Sequence, residues 1–143
     1  MTYLLDSNVV SEIWKPAPAG NVMQFLEQAE WFIPAPVIAE LQEGAGAAPT
    51  LSRQLELNQK IDLMLADYSE ALMVWDAESA RTWGRLKHSP EVKRQPQALW
   101  DSLIDAMAVR LNATVATRNE KDFRHAKTFN PWTAKAGAPG MQQ

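Results

Sequence analysis

The stretch Tyr3-Leu4-Leu5-Asp6-Ser7-Asn8-Val9-Val10-Ser11-Glu12 decides how the rest of the chain is read. Tyr3 to Leu5 form a short apolar run that predicts a buried strand, and Ser7 and Asn8 are residue types that cap helices by accepting backbone N–H bonds. Asp6 then stands at the carboxyl end of a strand, where open parallel sheets place their ligands. It is read as one wall of an acidic metal site. The blander alternative is a carboxylate that caps the helix and favours its positive end. One acid does not decide between them, so the choice rests on residues further along.

With 143 residues and 46% hydrophobic content, the chain fits one domain able to bury a core. It contains no cysteine, which excludes disulfides, cysteine-based zinc sites and thiol nucleophiles. The first residues lack a basic segment followed by an apolar one, and no apolar run approaches the ~20 residues of a membrane span. A soluble, cytoplasmic protein is expected. The net charge of −3 is divided unevenly: residues 1–80 hold 12 acids and 3 bases, and residues 81–143 hold 5 acids and 11 bases. Such asymmetry permits a basic surface beside an acidic pocket.

Val9 to Trp14 continue as a short helix that Pro16 and Pro18 end, because proline lacks the amide hydrogen and disfavours helix in the residue before it. Asn21 is the expected cap of a second helix with Val22, Phe25, Leu26 and Ala29 at helical spacing. Trp31 to Ile33 read as a second strand, and Val37, Ile38 and Leu41 as the apolar stripe of a third helix carrying Glu40. Residues 43–49 read as a break. Leu51, Leu55, Leu57, Ile61, Leu63 and Leu65 suggest a further helix, residues 71–75 a strand, and Asp76 the cap of a helix through Arg81 and Arg85. A polar loop over residues 88–96, a helix over 97–112, a strand over 114–116, a turn over 117–119 and a strand near Thr128 and Phe129 complete the pattern. Short strands alternating with helices predict an α/β fold with a mainly parallel central sheet flanked by helices.

Asp101 falls in the first turns of the late helix and Asp105 follows at i+4, on the same face among apolar neighbours. Carboxylates there are costly unless solvated, paired or bound to a cation; for Asp101 the macrodipole offers a simpler explanation. Asp6, Glu40 and Asp101 each adjoin a strand-to-helix junction or an early helical turn, and parallel topology brings such junctions to one sheet edge. Three carboxylates converging there raise one another's pKa or hold a divalent cation. Hard oxygen donors point to Mg²⁺, with Mn²⁺ as the other candidate, rather than zinc. His88 and His125 lack ligand spacing and are expected at the surface.

Leu4-Leu5-Asp6-Ser7-Asn8, Pro36-Val37-Ile38-Ala39-Glu40-Leu41, Asp101-Ser102-Leu103-Ile104-Asp105-Ala106, Ala116-Thr117-Arg118-Asn119-Glu120-Lys121-Asp122-Phe123 and Asn130-Pro131-Trp132 follow in order along the chain. In this order and spacing they resemble the PIN-domain ribonucleases, specifically the VapC-type toxins of bacterial toxin–antitoxin modules. The resemblance spans almost the whole chain and implies a three-layer PIN-like fold over residues 1–134, with 135–143 as a flexible tail. It also implies metal ligation by Asp6 and Asp101, with Glu40 as the intermediate acid. The family's fourth acidic position falls on Asn119, an amide, which weakens the case for tight binding of a second cation. Asp122 matches the acid of the family's terminal Asp-Phe pair and is a candidate supporting charge, with turn capping as its alternative. Ser7 and Thr117 keep hydroxyls able to bind water, metal or phosphate. Around Glu40, where the family often carries bases, Gln42-Glu43-Gly44 follow instead.

The expected activity is metal-dependent endoribonuclease cleavage of RNA, with transfer or ribosomal RNA as candidate targets and 5′-phosphate and 3′-hydroxyl products. The resemblance further implies a cognate antitoxin, which inserts a basic segment into the acidic pocket, and a homodimer. Because the acids repel phosphate, bases must supply affinity: Arg81, Arg85, Lys87, Lys93 and Arg94 form the densest patch, with Trp83 and Trp100 as stacking surfaces. A solvated helix face with core tryptophans is the competing reading of the same residues. Arg118 and Arg124 lie nearer the acids. The alternative function is a catalytically weak PIN-like RNA- or protein-binding module. A small-molecule phosphatase is disfavoured because Asp6-Ser7-Asn8 lacks the second aspartate of an Asp-x-Asp signature.

Overall fold

A computed structural model describes residues 1–134. Five strands, β1 (Thr2–Leu5), β2 (Glu30–Pro34), β3 (Leu72–Met73), β4 (Thr114–Ala116) and β5 (Lys127–Phe129), form one sheet in the order β3-β2-β1-β4-β5. Every neighbouring pair is parallel, so the sheet is wholly rather than mainly parallel. The chain builds outward from β1 to β3 on one side, then returns to place β4 and β5 on the other. β1 and β4 therefore flank the point where the winding changes direction, and ligands of open α/β sheets bind beyond the strand ends there.

Seven helices flank the sheet among the described residues: α1 (Ser7–Ile13), α2 (Gly20–Gln28), α3 (Ala35–Gly46), α4 (Leu51–Asp67), α5 (Ala77–Leu86), α6 (Pro90–Arg94) and α7 (Leu99–Leu111). β1 is buried from Tyr3 to Leu5 because both sheet faces are covered, which is why it reads as a continuous apolar run. Tyr3 meets Phe25 of α2 edge-on at 4.9 Å, and Phe25 stacks on Phe129 of β5 at 5.4 Å. Ile104, Met107 and Ala108 of α7 join the same core. Asn112 ends α7 in the left-handed region at φ 52°, a conformation that asparagine tolerates, and the chain turns into β4.

Several local expectations change. α2 starts at Gly20 with Ala19 as its cap residue; the Asn21 amide instead donates to the Trp132 carbonyl, tying α2 to the far end of the chain. The expected break over 43–49 lies mostly inside α3, which runs to Gly46 because Ala45 is buried and holds its last turn against the core. Residues 88–96 contain α6, started by Pro90 and capped by the Ser89 hydroxyl, which accepts from the Val92 amide. β3 keeps two of the five expected residues, and α7 is shorter than 97–112 by two residues at its start. The expected tail over 135–143 lies outside the described residues.

Candidate functional site

Asp6 sits at the end of β1 with 5% of its surface exposed. Its amide donates to the Ala116 carbonyl of β4 at 3.0 Å, fixing its backbone to the neighbouring strand. It caps α1 and reaches β4 as well: Oδ1 accepts from the Ser7 amide at 2.8 Å, and Oδ2 accepts from the Thr117 hydroxyl at 2.8 Å. Burial pushes its pKa up, the Thr117 and Ser7 hydrogen bonds pull it down, and the Asp122 charge pushes it up again. Asn8 closes the junction, with its amide nitrogen 3.4 Å from both Asp6 Oδ2 and Thr117 Oγ1 and its oxygen accepting from the Arg118 amide. This latch escaped the sequence reading, which took Asn8 for a helix-cap residue; its only signal was an amide two positions past the acid.

Glu40 projects from α3. Its Oε1 is buried and has no hydrogen-bond partner among the described residues. Burial raises its pKa first, the Ser7 hydroxyl offsets part of this, and the charges of Asp6 and Glu43 raise it further. Asp101, in the first turn of α7, is pushed up to about 7 by burial and then by the charges of Asp6, Asp122 and Glu40, against a smaller pull from Arg124. Four carboxylates from β1, α3, α7 and the turn after β4 thus share one electrostatic neighbourhood. Among the described residues, no three His, Asp or Glu side chains form a ready-made ligand set.

The remaining candidates have varied surroundings. Thr117 is fully buried and its oxygen also accepts from the Asn119 amide at 3.0 Å. Asn119 itself is exposed at the start of the 3-10 turn Glu120–Asp122. The Arg118 guanidinium lies 4.6 Å from the centre of the Trp132 ring, and its charge adds a last, small share to the Lys15 and Ala19 hydrogen bonds that hold Glu12 below the usual carboxylate range. Arg124 donates to the carbonyls of Gln95, Pro96 and Lys121, bracing the loop that leads into α7.

Asp105 turns away to a different task. It is 1% exposed and accepts from the His125 ring at 2.9 Å and from the His125 and Ala126 amides. Four residues along a helix advance it about 6 Å past Asp101, enough to reach the loop before β5. His125 is therefore no surface residue: its side chain is 14% exposed and its other ring nitrogen meets Ser89 Oγ at 2.9 Å.

A groove of about 920 Å³ opens onto the acids through Ser7 and Glu40, and Trp14, Lys15, Arg53, Glu56, Lys60 and Trp100 also line it. Neither Arg81 nor Arg85 lines this groove; both are exposed on α5. Lys87 packs over Trp83, whose indole donates to Ser102 and clamps α5 onto α7. The contribution of α4 was hidden in the sequence because its bases are separated from every acidic motif.

A parallel sheet with acids gathered where its winding reverses agrees with the family comparison, in which the PIN-domain model matches residues 3–128. The chain is a PIN-domain protein. Among relatives, it is 27% identical over 135 residues to the VapC ribonuclease Y4jK of Sinorhizobium fredii, covering 90% of this chain and 96% of that one. Toxin FitB of Neisseria gonorrhoeae is also 27% identical over 135 residues, covering 90% and 97%. The crystal structure of FitAcB from Neisseria gonorrhoeae superposes with a TM-score of 0.75 at 25% identity, over 92% of this chain and 99% of that chain. VapBC2 from Rickettsia felis, bound to a DNA fragment from its promoter, shares the PIN fold with a TM-score of 0.68 at 22% identity, over 91% and 98%. No helix of the described residues is long and apolar enough to cross a membrane.

Proposed function

We propose that this PIN-domain protein is a metal-dependent endoribonuclease toxin, neutralised by a cognate antitoxin. The observation that carries the reading is Asp101, whose carboxyl is held at about 7 by burial and the charges of Asp6, Asp122 and Glu40. Such a cluster is stable at neutral pH only if it keeps protons or gains a cation. The residues suit a hard cation: the donors are all oxygens, and Glu40 offers a buried carboxylate oxygen without a partner. Asp6 and Asp101 would hold Mg²⁺ or Mn²⁺, with Glu40 and Asp122 beside them. When bound, the ion supplies Lewis acidity that activates water and offsets charge on the phosphodiester.

The protein's own residues have separate tasks. Thr117 and the Ser7 amide hold Asp6 in one orientation through both of its oxygens. Asp101, pushed up to about 7 without a cation, gives up its proton when it serves as a ligand, so cation binding is expected to strengthen as pH rises toward that value. Asn119 leaves the fourth family position uncharged, and Asp122 supplies the negative charge from the same turn. The products are expected to carry 5′-phosphate and 3′-hydroxyl ends, and no covalent nucleophile is needed. Arg81, Arg85 and Arg118 remain candidates for contacts with RNA outside the groove.

An antitoxin partner is supported by the toxin–antitoxin names and complexes of the relatives. A homodimer is supported by an apolar depression lined by Ala80, Trp75, Trp83 and Leu103, with the exposed Val74 next to Trp75 in sequence. Incubation of purified protein with labelled transfer and ribosomal RNA tests the activity. Cleavage is expected with Mg²⁺ or Mn²⁺ and none with chelator, and Asp6→Asn or Asp101→Asn is expected to remove it. Binding of RNA without cleavage under any divalent ion would favour a catalytically weak binding module.

A further inference from the structure

The first 80 residues hold 12 acids and only three bases, Lys15, Arg53 and Lys60. All three line the groove that opens onto the acids. Arg53, Glu56 and Lys60 lie at i, i+3 and i+7 of α4, on one side of the helix, so that two cations from successive turns converge on the carboxylate between them. Glu56 holds both: Arg53 is 2.9 Å and Lys60 3.4 Å from its Oε1.

This trio does little for folding. The side chains of Arg53, Glu56 and Lys60 are 48%, 52% and 32% exposed, and ion pairs this exposed add little to stability. α4 is anchored instead by the buried Ile61 and Met64. Lys15 is different, because its ammonium is tied at 2.8 Å to the buried Glu12. Across the same groove stands Trp100, next in sequence to Asp101.

We infer that the α4 side of this groove is a phosphate-binding wall for single-stranded RNA, on which Arg53 and Lys60 contact two phosphates and Trp100 stacks a base beside the acids. The inference rests on the nuclease reading, since it supplies the attraction that four carboxylates deny to a polyanion. Glu56 holds both cations together at the groove and competes with phosphate for them. Exposed cations lose little on exchanging one anion for another, and a tryptophan face accepts any base.

Binding of a short fluorescein-labelled single-stranded RNA is measured by anisotropy across a salt series, using full-length Asp101→Asn protein so that the strand stays intact. Adding Arg53→Ala or Lys60→Ala is expected to weaken binding several-fold and to lower the salt slope by about one each. Adding Glu56→Gln is expected to tighten binding, and Trp100→Leu to weaken it while Trp100→Phe retains it. In otherwise unaltered protein, Arg53→Ala and Lys60→Ala are expected to raise KM for RNA with kcat and melting temperature unchanged. Unchanged affinity and slope in both alanine variants, or weaker binding with Glu56→Gln, would overturn the wall. So would alanine variants that lose a protein partner while binding RNA normally. Cleavage by the unaltered protein combined with unchanged binding in the variants rejects the wall alone. The expected binding pattern in a protein that never cleaves RNA supports the wall and rejects the nuclease reading.

Discussion

The Thr117 hydroxyl donates to Oδ2 of Asp6 over 2.8 Å, joining the end of β4 to the end of β1 where the sheet's winding reverses. Both residues are buried, so water does not readily replace this bond. Thr117→Val keeps the shape and removes the donor, leaving a buried carboxylate oxygen short of a partner. A loss of about 1–3 kcal/mol in denaturant unfolding near neutral pH is expected, together with a further rise in the Asp6 pKa. Thr117→Ser, which keeps the hydroxyl, is expected to hold the Asp6 pKa near that of the unaltered protein. Equal Asp6 pKa values in the two variants, read by NMR titration, would show that the bond is incidental.

The ionisation of Asp101 sets a pH dependence. Its folded pKa of about 7 lies above its ordinary 3.8, so between these values the folded state binds more protons than the unfolded state. Stability of the metal-free protein from this group is then fully present near and below pH 4, falls as pH rises, and levels off above about 7. Burial of Asp6 and Glu40 acts in the same direction. Asp101→Asn is expected to raise the melting temperature of metal-free protein by several degrees above pH 7 and to change it little near pH 4. A melting-temperature difference independent of pH would contradict the assignment.

Asp105 and Asp101 separate by the same kind of measurement. Asp105 anchors the His125 ring and the Ala126 amide from a fully buried position. Asp105→Asn removes a charge-assisted partner from that loop, and a loss of about 2–4 kcal/mol is expected. The stabilisation produced by Mn²⁺ is expected to survive in Asp105→Asn and to vanish in Asp101→Asn. Vanishing of the Mn²⁺ effect in both would place Asp105 in the cation site.

Much of this was legible in the sequence because β1 is an apolar run that stops at a carboxylate, and the first turn of α7 carries another. Parallel strand–helix alternation then brings such positions to one edge. Glu40 was grouped with them by its early place in a helix after a strand, Asp122 only by the family resemblance, and both charges act on Asp101. The separate fate of Asp105 was not legible, since i and i+4 share a face and only the position of the 125–126 loop divides them. Nor was α6, because Pro90 reads as a breaker until Ser89 is seen to cap the turn it starts. The groove depends on how α4 packs beside α3, a long-range contact with no signature in the local pattern of either helix.

Calorimetric titration of Mn²⁺ into metal-free protein tests most directly whether these distant acids serve one ion. A single cation held by Asp6 and Asp101 predicts measurable binding by the unaltered protein and losses of about tenfold or more in Asp6→Asn and in Asp101→Asn. Glu40→Gln and Asp122→Asn are expected to weaken binding less. Equal affinity in the unaltered protein, Asp6→Asn and Asp101→Asn would contradict the shared site.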